Sequence, residues 1–339
     1  MNKWITVSVG LWVLCLVSSA AFLLRGQPSA QTEPPQEVPQ GIKIIATADM
    51  VFVPVTVRRP ESGFVKGLPQ SAFHIYEDEK PQEIAFFAQE GLPTRIAIVL
   101  DISASVRSEW GTIKHATMKF IENLKQEDQF SLVTFNTDIR LKMDWGRKTD
   151  RLNPVLTSIF CKGNTKLWDA LWIVSNDVFK GIQEKKAMII MTDGLDNQSS
   201  VTYEEAFKAA VRSEAAVYVV SKTEAIRHLM EFEMKDSPYS NIPQKVFANA
   251  DLALRKLAFE TGGRVLYPNS FGQLDDIYAQ VDEELRNQYT VGYYSTNKAK
   301  DGSYRHIDVR VEAPGSQVSA RPGYYAPNDS AAQASPGKS

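Results

Sequence analysis

Asp101, Ser103 and Ser105 alternate at the end of an apolar run, Ile96-Ala97-Ile98-Val99-Leu100. In an extended chain, alternate side chains point the same way, so these three oxygen-bearing groups would face together. A carboxylate with hydroxyls is a set of hard donors. It suits magnesium, manganese or calcium and offers zinc none of the nitrogen or sulfur that zinc favours. A second acid closes another apolar run, Met188-Ile189-Ile190-Met191-Thr192-Asp193-Gly194. Between the two, Gly163-Asn164-Thr165 places a further hydroxyl in a loop that leads into a helical segment. Taken singly, each residue has a commoner structural job: Asp, Ser and Thr cap helices, and Asp-Gly makes turns. Two strand-end acids with three hydroxyls in order favour a divalent-metal site instead.

The elements that must position these groups follow from the pattern around them. Five consecutive apolar residues are too few for a buried helix and fit a strand covered on both faces. From Arg95 strands alternate with helical periodicity. A helix is predicted at Ile113–Leu124, and a strand at Phe130–Phe135 that continues after Asn136-Thr137-Asp138 into Ile139–Met143. Next come a helix at Leu167–Phe179, the Met188–Thr192 strand, a helix at Tyr203–Arg212 and a strand at Ala216–Ser221. A helix at Leu252–Thr261, a strand at Arg264–Tyr267 and a helix at Leu274–Arg286 complete the series. Strands separated by helices imply an α/β fold, a doubly wound, mostly parallel sheet of Rossmann-like type, here over residues 91–286. Ligands in such sheets bind beyond the carboxyl ends of the strands, where Asp101 and Asp193 both arrive. An interruption at 223–250 follows the Ala216–Ser221 strand and should emerge at that same edge, as a partner-specifying loop or as a solvated insertion.

Both flanks read as β. Residues 42–90 hold short strands and turns, and residues 287–326 do likewise; neither is large enough to stand alone, so they are expected to pair into one small β-unit. Residues 27–41 are a Pro- and Gln-rich linker, and residues 327–339 form a small, polar, disordered tail. Ahead of these, Lys3 precedes a charge-free apolar run from Trp4 to Leu24. Residues 1–26 are a secretory signal peptide or an uncleaved membrane anchor, and either reading exports the body to the periplasm, cell envelope or exterior. Only Cys161 lies outside that segment, so no intrachain disulfide can form in the body. With Lys+Arg 38 against Asp+Glu 40 and a net charge of −2, nothing global favours nucleic acid as a partner.

Asp101-x-Ser103-x-Ser105, Thr165 within Gly163-Asn164-Thr165-Lys166-Leu167-Trp168-Asp169-Ala170-Leu171, and Thr192-Asp193-Gly194 together resemble the metal-ion-dependent adhesion site of von Willebrand factor type A domains. All five motif positions are filled. Further stretches are similar to an exported bacterial, acidobacterial-type group of von Willebrand factor A-related proteins. They are Gly67-Leu68, Phe73-x-Ile75-Tyr76-Glu77-Asp78, Thr261-Gly262-Gly263, Gln288-Tyr289-x-Val291-Gly292-Tyr293 and Arg321-Pro322-Gly323-Tyr324-Tyr325. Val106 departs from the Met that many members carry, at a position that is not a ligand. The resemblance implies that Ser103, Ser105 and Thr165 reach Mg2+ (or Mn2+ or Ca2+) through their hydroxyls, with Asp101 and Asp193 bound directly or through water. It also implies an open position for an Asp or Glu carboxylate of a partner protein, while Asp196 stays out of direct contact with the ion.

Enzyme chemistry has less support. His74, His115, His228 and His306 are far apart, and no phosphate-cradling glycine loop is present. A phosphotransfer aspartate would be followed two residues on by another acid, where this chain has Ser103. The expected protein is therefore an exported, metal-dependent protein-binding module and not an enzyme. The alternatives are a metal-dependent phosphoester hydrolase and a structural envelope component whose metal stabilises the fold.

Overall fold

The computed structural model describes residues 50–89, 92–147, 149–223 and 243–328. The chain begins with strands β1 (Met50–Arg59), β2 (Gly63–Phe64), β3 (Phe73–Glu77), β4 (Lys80–Gln82) and β5 (Ile84–Gln89). The alternating part follows: β6 (Thr94–Asp101), α1 (Trp110–Glu122), β7 (Gln129–Phe135), β8 (Ile139–Gly146), α2 (Leu152–Thr157), α3 (Leu167–Ile173) and β9 (Lys185–Thr192). It continues with α4 (Tyr203–Ser213), β10 (Ala216–Ser221), α5 (Gln244–Glu260), β11 (Val265–Leu266) and α6 (Leu274–Asn287). Strands β12 (Tyr289–Tyr294), β13 (Tyr304–Val311), β14 (Gln317–Ala320) and β15 (Gly323–Tyr325) close the chain.

The central sheet has the order β11-β10-β9-β6-β7-β8 and is parallel except at β8. Its strands are apolar on both faces because helices cover both. Ile96, Ile98 and Leu100 pack with Ile113 and Phe120 of α1 and Val281 of α6. The alternate residues Ala97 and Val99 pack with Leu171 of α3, Phe207 of α4 and Leu254 of α5 on the other side. The expected doubly wound α/β sheet is what forms.

Three local expectations differ from the structure. Residues after Phe135 do not continue the strand: Asn136 turns the chain back, its Oδ1 accepting the Asp138 backbone N–H at 2.9 Å, and β8 returns antiparallel to β7. Helix α3 is short and passes into a wider π-type turn at Val174–Val178. Helix α5 starts at Gln244 instead of Leu252, because Phe247 and Leu254, two turns apart, are buried on one face of it. The rest of the 223–250 interruption, the Trp4–Leu24 segment and the 27–41 linker fall outside the described residues, as does the end of the polar tail. Pro327 and Asn328 are described: the Gly302 N–H donates to the Pro327 carbonyl, and Asn328 bridges to Asp301. Among the described residues no helix is long and apolar enough to cross a membrane.

The two flanks do combine. One sheet runs β14-β1-β12-β5 with β2 on β1, and another runs β15-β13-β3-β4, so each interleaves strands from before and after the α/β region. Between them lie Val53, Val55, Phe73, Ile75, Tyr289 and Val291. Glu77, 2% exposed, anchors this unit from inside. It accepts hydrogen bonds from Tyr293 (2.8 Å), Ser295 (2.5 Å) and Tyr324 (2.9 Å), and Arg305 lies 3.5 Å away. These partners come from β12, the loop after it, β15 and β13. Removing the carboxylate would leave Arg305 buried without it, a change that costs about 3–5 kcal/mol in such pairs. Glu77→Ala should therefore lower unfolding free energy by an amount in that range in urea titrations, and a loss below about 1 kcal/mol would show that the cluster does not join the flanks.

Candidate metal site

The register of the sheet brings the predicted residues to one edge. Leu100 pairs with Met191, and Thr192 pairs with Ser221, so three charged side chains on three adjacent strands leave the sheet within one residue of the same level. They are Asp101 from β6, Asp193 after β9 and Lys222 after β10. All three are buried, at 1%, 3% and 1% exposure. The Lys222 ammonium lies 3.2 Å from Asp101 Oδ2 and 3.5 Å from Asp193 Oδ2, reaching past β9 to touch both carboxylates. The other carboxylate oxygens are held by backbone. Ser103 N–H donates to Asp101 Oδ1 at 2.9 Å, and Leu195 N–H donates to Asp193 Oδ1 at 3.0 Å.

The hydroxyls arrive differently from the extended pattern that alternation predicts. After Ser103 the chain turns tightly through Ala104–Val106, yet Ser103 Oγ and Ser105 Oγ end 2.9 Å apart. Thr165, buried, is fixed through its backbone. Its N–H donates to Asn197 Oδ1 at 3.0 Å, and its carbonyl accepts the Asn197 N–H at 3.1 Å. Two more backbone bonds, Ala104 N–H to the Gly163 carbonyl and Lys162 N–H to the Ile102 carbonyl, join the serine loop to the threonine loop. The structure thus brings Asp101 and Asp193 together around one cation, pairs Ser103 with Ser105, and locks Thr165 between the loops that carry them.

Acids beside the site serve as scaffold. Asp196 Oδ1 accepts the Leu167 N–H at 2.8 Å at the start of α3, and also the Ser199 hydroxyl at 2.5 Å. Asp169 accepts the N–H groups of Ser200 and Val201, both at 2.8 Å. Together they clamp the loop after β9 onto α3. Gly163 is required by both conformation and space: its φ is +77°, and a Cβ there would lie 2.5 Å from Thr137 Oγ1. Gly194, also at φ +77°, leaves room for Leu254 of α5, which a Cβ would meet at 2.8 Å.

Electrostatics at this edge are set by burial. Burial raises the Asp101 carboxyl above its ordinary range, the adjacent Lys222 ammonium opposes that, and the Asp193 carboxylate adds to it. Burial, with the Asp101 charge behind it, pushes the Cys161 thiol up to about 11, so this buried cysteine is held as an unreactive thiol.

The pattern of the sequence does not single out Lys222. Its signal was available: a lysine directly after the six buried residues of β10, on a strand that ends where the two acids do. Among the described residues no three His, Cys, Asp or Glu side chains group as metal ligands, so any ion here depends on the hydroxyls. The donor set fits one. Two buried carboxylates turn an oxygen each toward a point where a positive charge already sits, and hydroxyl oxygens adjoin them.

The von Willebrand factor type A domain profile matches residues 96–280, from within β6 to within α6. The chain belongs to that family. Among solved structures, an aerotolerance-related membrane protein from Bacteroides fragilis NCTC 9343, carrying multiple mutations to serines, is 14% identical with a TM-score of 0.43, over 57% of this chain and 98% of that one. The BatB protein of Bacteroides thetaiotaomicron is 16% identical with a TM-score of 0.42, over 57% and 98%. Proximal thread matrix protein 1 from the mussel byssus, solved with a zinc-occupied MIDAS motif, is 17% identical with a TM-score of 0.43, over 58% of this chain and 49% of that one. No curated protein matches the chain.

If Gly163 is what lets the threonine loop close on the serine loop, Gly163→Ala should destabilise the protein by at least about 1–2 kcal/mol, the usual cost of a side chain in the left-handed region. Denaturant midpoints would measure this, and an unchanged midpoint would show that the loops do not depend on that close approach.

Proposed function

We propose that this von Willebrand factor type A protein is an exported, metal-dependent protein-binding module, and that it is not an enzyme. Asp101, Ser103, Ser105, Thr165 and Asp193 would hold a divalent cation, with magnesium favoured by the all-oxygen donor set and manganese or calcium as substitutes. When bound, the ion would balance the two carboxylates and present a Lewis-acidic contact for an Asp or Glu of the partner. The observation that carries this reading is the convergence of two buried strand-end carboxylates with paired serine hydroxyls, in a chain of this family. The surroundings favour an acidic partner. Arg107 and Lys162 are exposed on the loops that hold Ser105 and Thr165, and the Arg107 guanidinium donates to the Cys161 carbonyl at 3.0 Å, which fixes it at the rim. Exposed Phe160, 5.3 Å below that guanidinium, adds an aromatic contact of the kind that anchors interfaces.

The export reading rests on the apolar Trp4–Leu24 segment, which would be a signal peptide or an anchor. Two other roles make different forecasts. A phosphoester hydrolase would turn over a generic phosphoester with magnesium and lose that activity in Asp101→Ala. A structural component would gain thermal stability from the ion without needing it to bind any partner.

The deciding experiment is capture of partner from envelope extract by the immobilised full-length protein, with magnesium and again with chelator. Binding should disappear with chelator, and Thr165→Ala should weaken both Mn2+ binding and capture by at least about tenfold. Partner affinity unaffected by chelation and by Thr165→Ala would refute the adhesion mechanism.

A further inference from the structure

The two carboxylate oxygens best placed for an ion are already in use. Asp101 Oδ1 and Asp193 Oδ1 accept backbone N–H groups, which leaves the two Oδ2 atoms to face the interior of the site. The Lys222 ammonium stands at 3.2 and 3.5 Å from those same two atoms. We propose that Lys222 is a built-in cation that competes for Asp101 and Asp193 and that a divalent ion must displace from them. This rests on the metal-binding reading of the site and adds the residue that regulates it.

Charge and geometry support the displacement. Two carboxylates with one ammonium leave one negative charge over; a divalent ion in place of the ammonium would leave none, whereas one added beside it would leave one positive charge over among buried groups. Like charges repel strongly where the dielectric is low, so ammonium and divalent ion disfavour sharing these oxygens. The backbone of Lys222 is fixed, since its N–H donates to the Thr192 carbonyl at 3.0 Å. What can move is the side chain, a flexible four-carbon stem bearing a compact charge. Its neighbours Ser221 and Thr223 bond to each other through their hydroxyls at 2.8 Å, so they do not compete for the carboxylates through that bond. The ammonium and the two carboxylates therefore form a satisfied ion cluster instead of a pair of repelling acids, and an incoming ion has to overcome it.

The test is calorimetric titration of Mn2+ into the full-length chain and into Lys222→Met, with melting temperatures taken in chelator and in Mn2+. Lys222→Met should bind Mn2+ at least about tenfold more tightly, because a competing positive charge has gone. Its melting temperature should fall in chelator and recover with Mn2+, and its gain from Mn2+ should exceed that of the unsubstituted protein, which binds the ion more weakly. If Lys222→Met folds only with Mn2+ present, that also supports displacement, since the ion then replaces the missing charge. Equal or weaker binding by Lys222→Met, with clear binding by the unsubstituted protein, would overturn the lysine's role and leave the metal site standing. No Mn2+ binding by either protein would overturn both. A variant that folds neither with nor without Mn2+ would also count against the proposal, because the ion should substitute for the ammonium.

Discussion

Two carboxylates are forced together at the edge of a parallel sheet, and the molecule must supply a positive charge between them. The register that pairs Leu100 with Met191 brings Asp101 level with Thr192, the residue before Asp193, and both acids are buried. Burying a charged group costs several kcal/mol per ion unless it is paired and hydrogen-bonded. Each acid meets half of that need with a backbone N–H from two residues further on. The other half is met by a cation from a third strand. Without it, the most buried part of the sheet would end in mutual repulsion.

The rest of the α/β region can be understood as what holds that edge in place. Helices on both faces keep the strands apolar and in register, and the loops beyond them are fastened to one another through backbone bonds and through side chains such as Asn197 and Arg107. Asp169 and Asp196 use their charges on backbone N–H groups at the start of α3 and in the loop after β9, so Thr165 is positioned by contacts within the protein. The flanking β-unit touches this scaffold through Arg321, which reaches the Phe52 carbonyl at 2.7 Å and Glu214 at 3.0 Å. That contact links both flanks to the end of α4, away from the edge that carries the acids.

Much of this was legible in the residues themselves. Apolar runs ending in Asp101 and Asp193 can be strands of one parallel sheet only if both acids meet at its carboxyl edge, and the structure has them there. The pairing of the flanks followed from a stability argument, since neither short set of strands buries enough to stand alone. What the residues hid were features set by tertiary packing. The turn at Asn136 looks like a pause within a strand until the antiparallel partner is seen. The first two turns of α5 read as loop because Pro243 and polar neighbours mask a face whose buried members, Phe247 and Leu254, lie two turns apart. Lys222 escaped notice for a different reason: a lysine after a strand is ordinarily solvent-bound, and only the register shows that this one points at two buried acids.

On the proposed reading, this edge is built for a divalent ion held by oxygen atoms from three separate loops. Anomalous diffraction from crystals of the protein grown in manganese tests it directly. A single strong peak is expected at the edge, within about 2.0–2.6 Å of oxygens from the serine and threonine loops. A site without a peak under saturating manganese, with Lys222 still spanning Asp101 and Asp193, would contradict it.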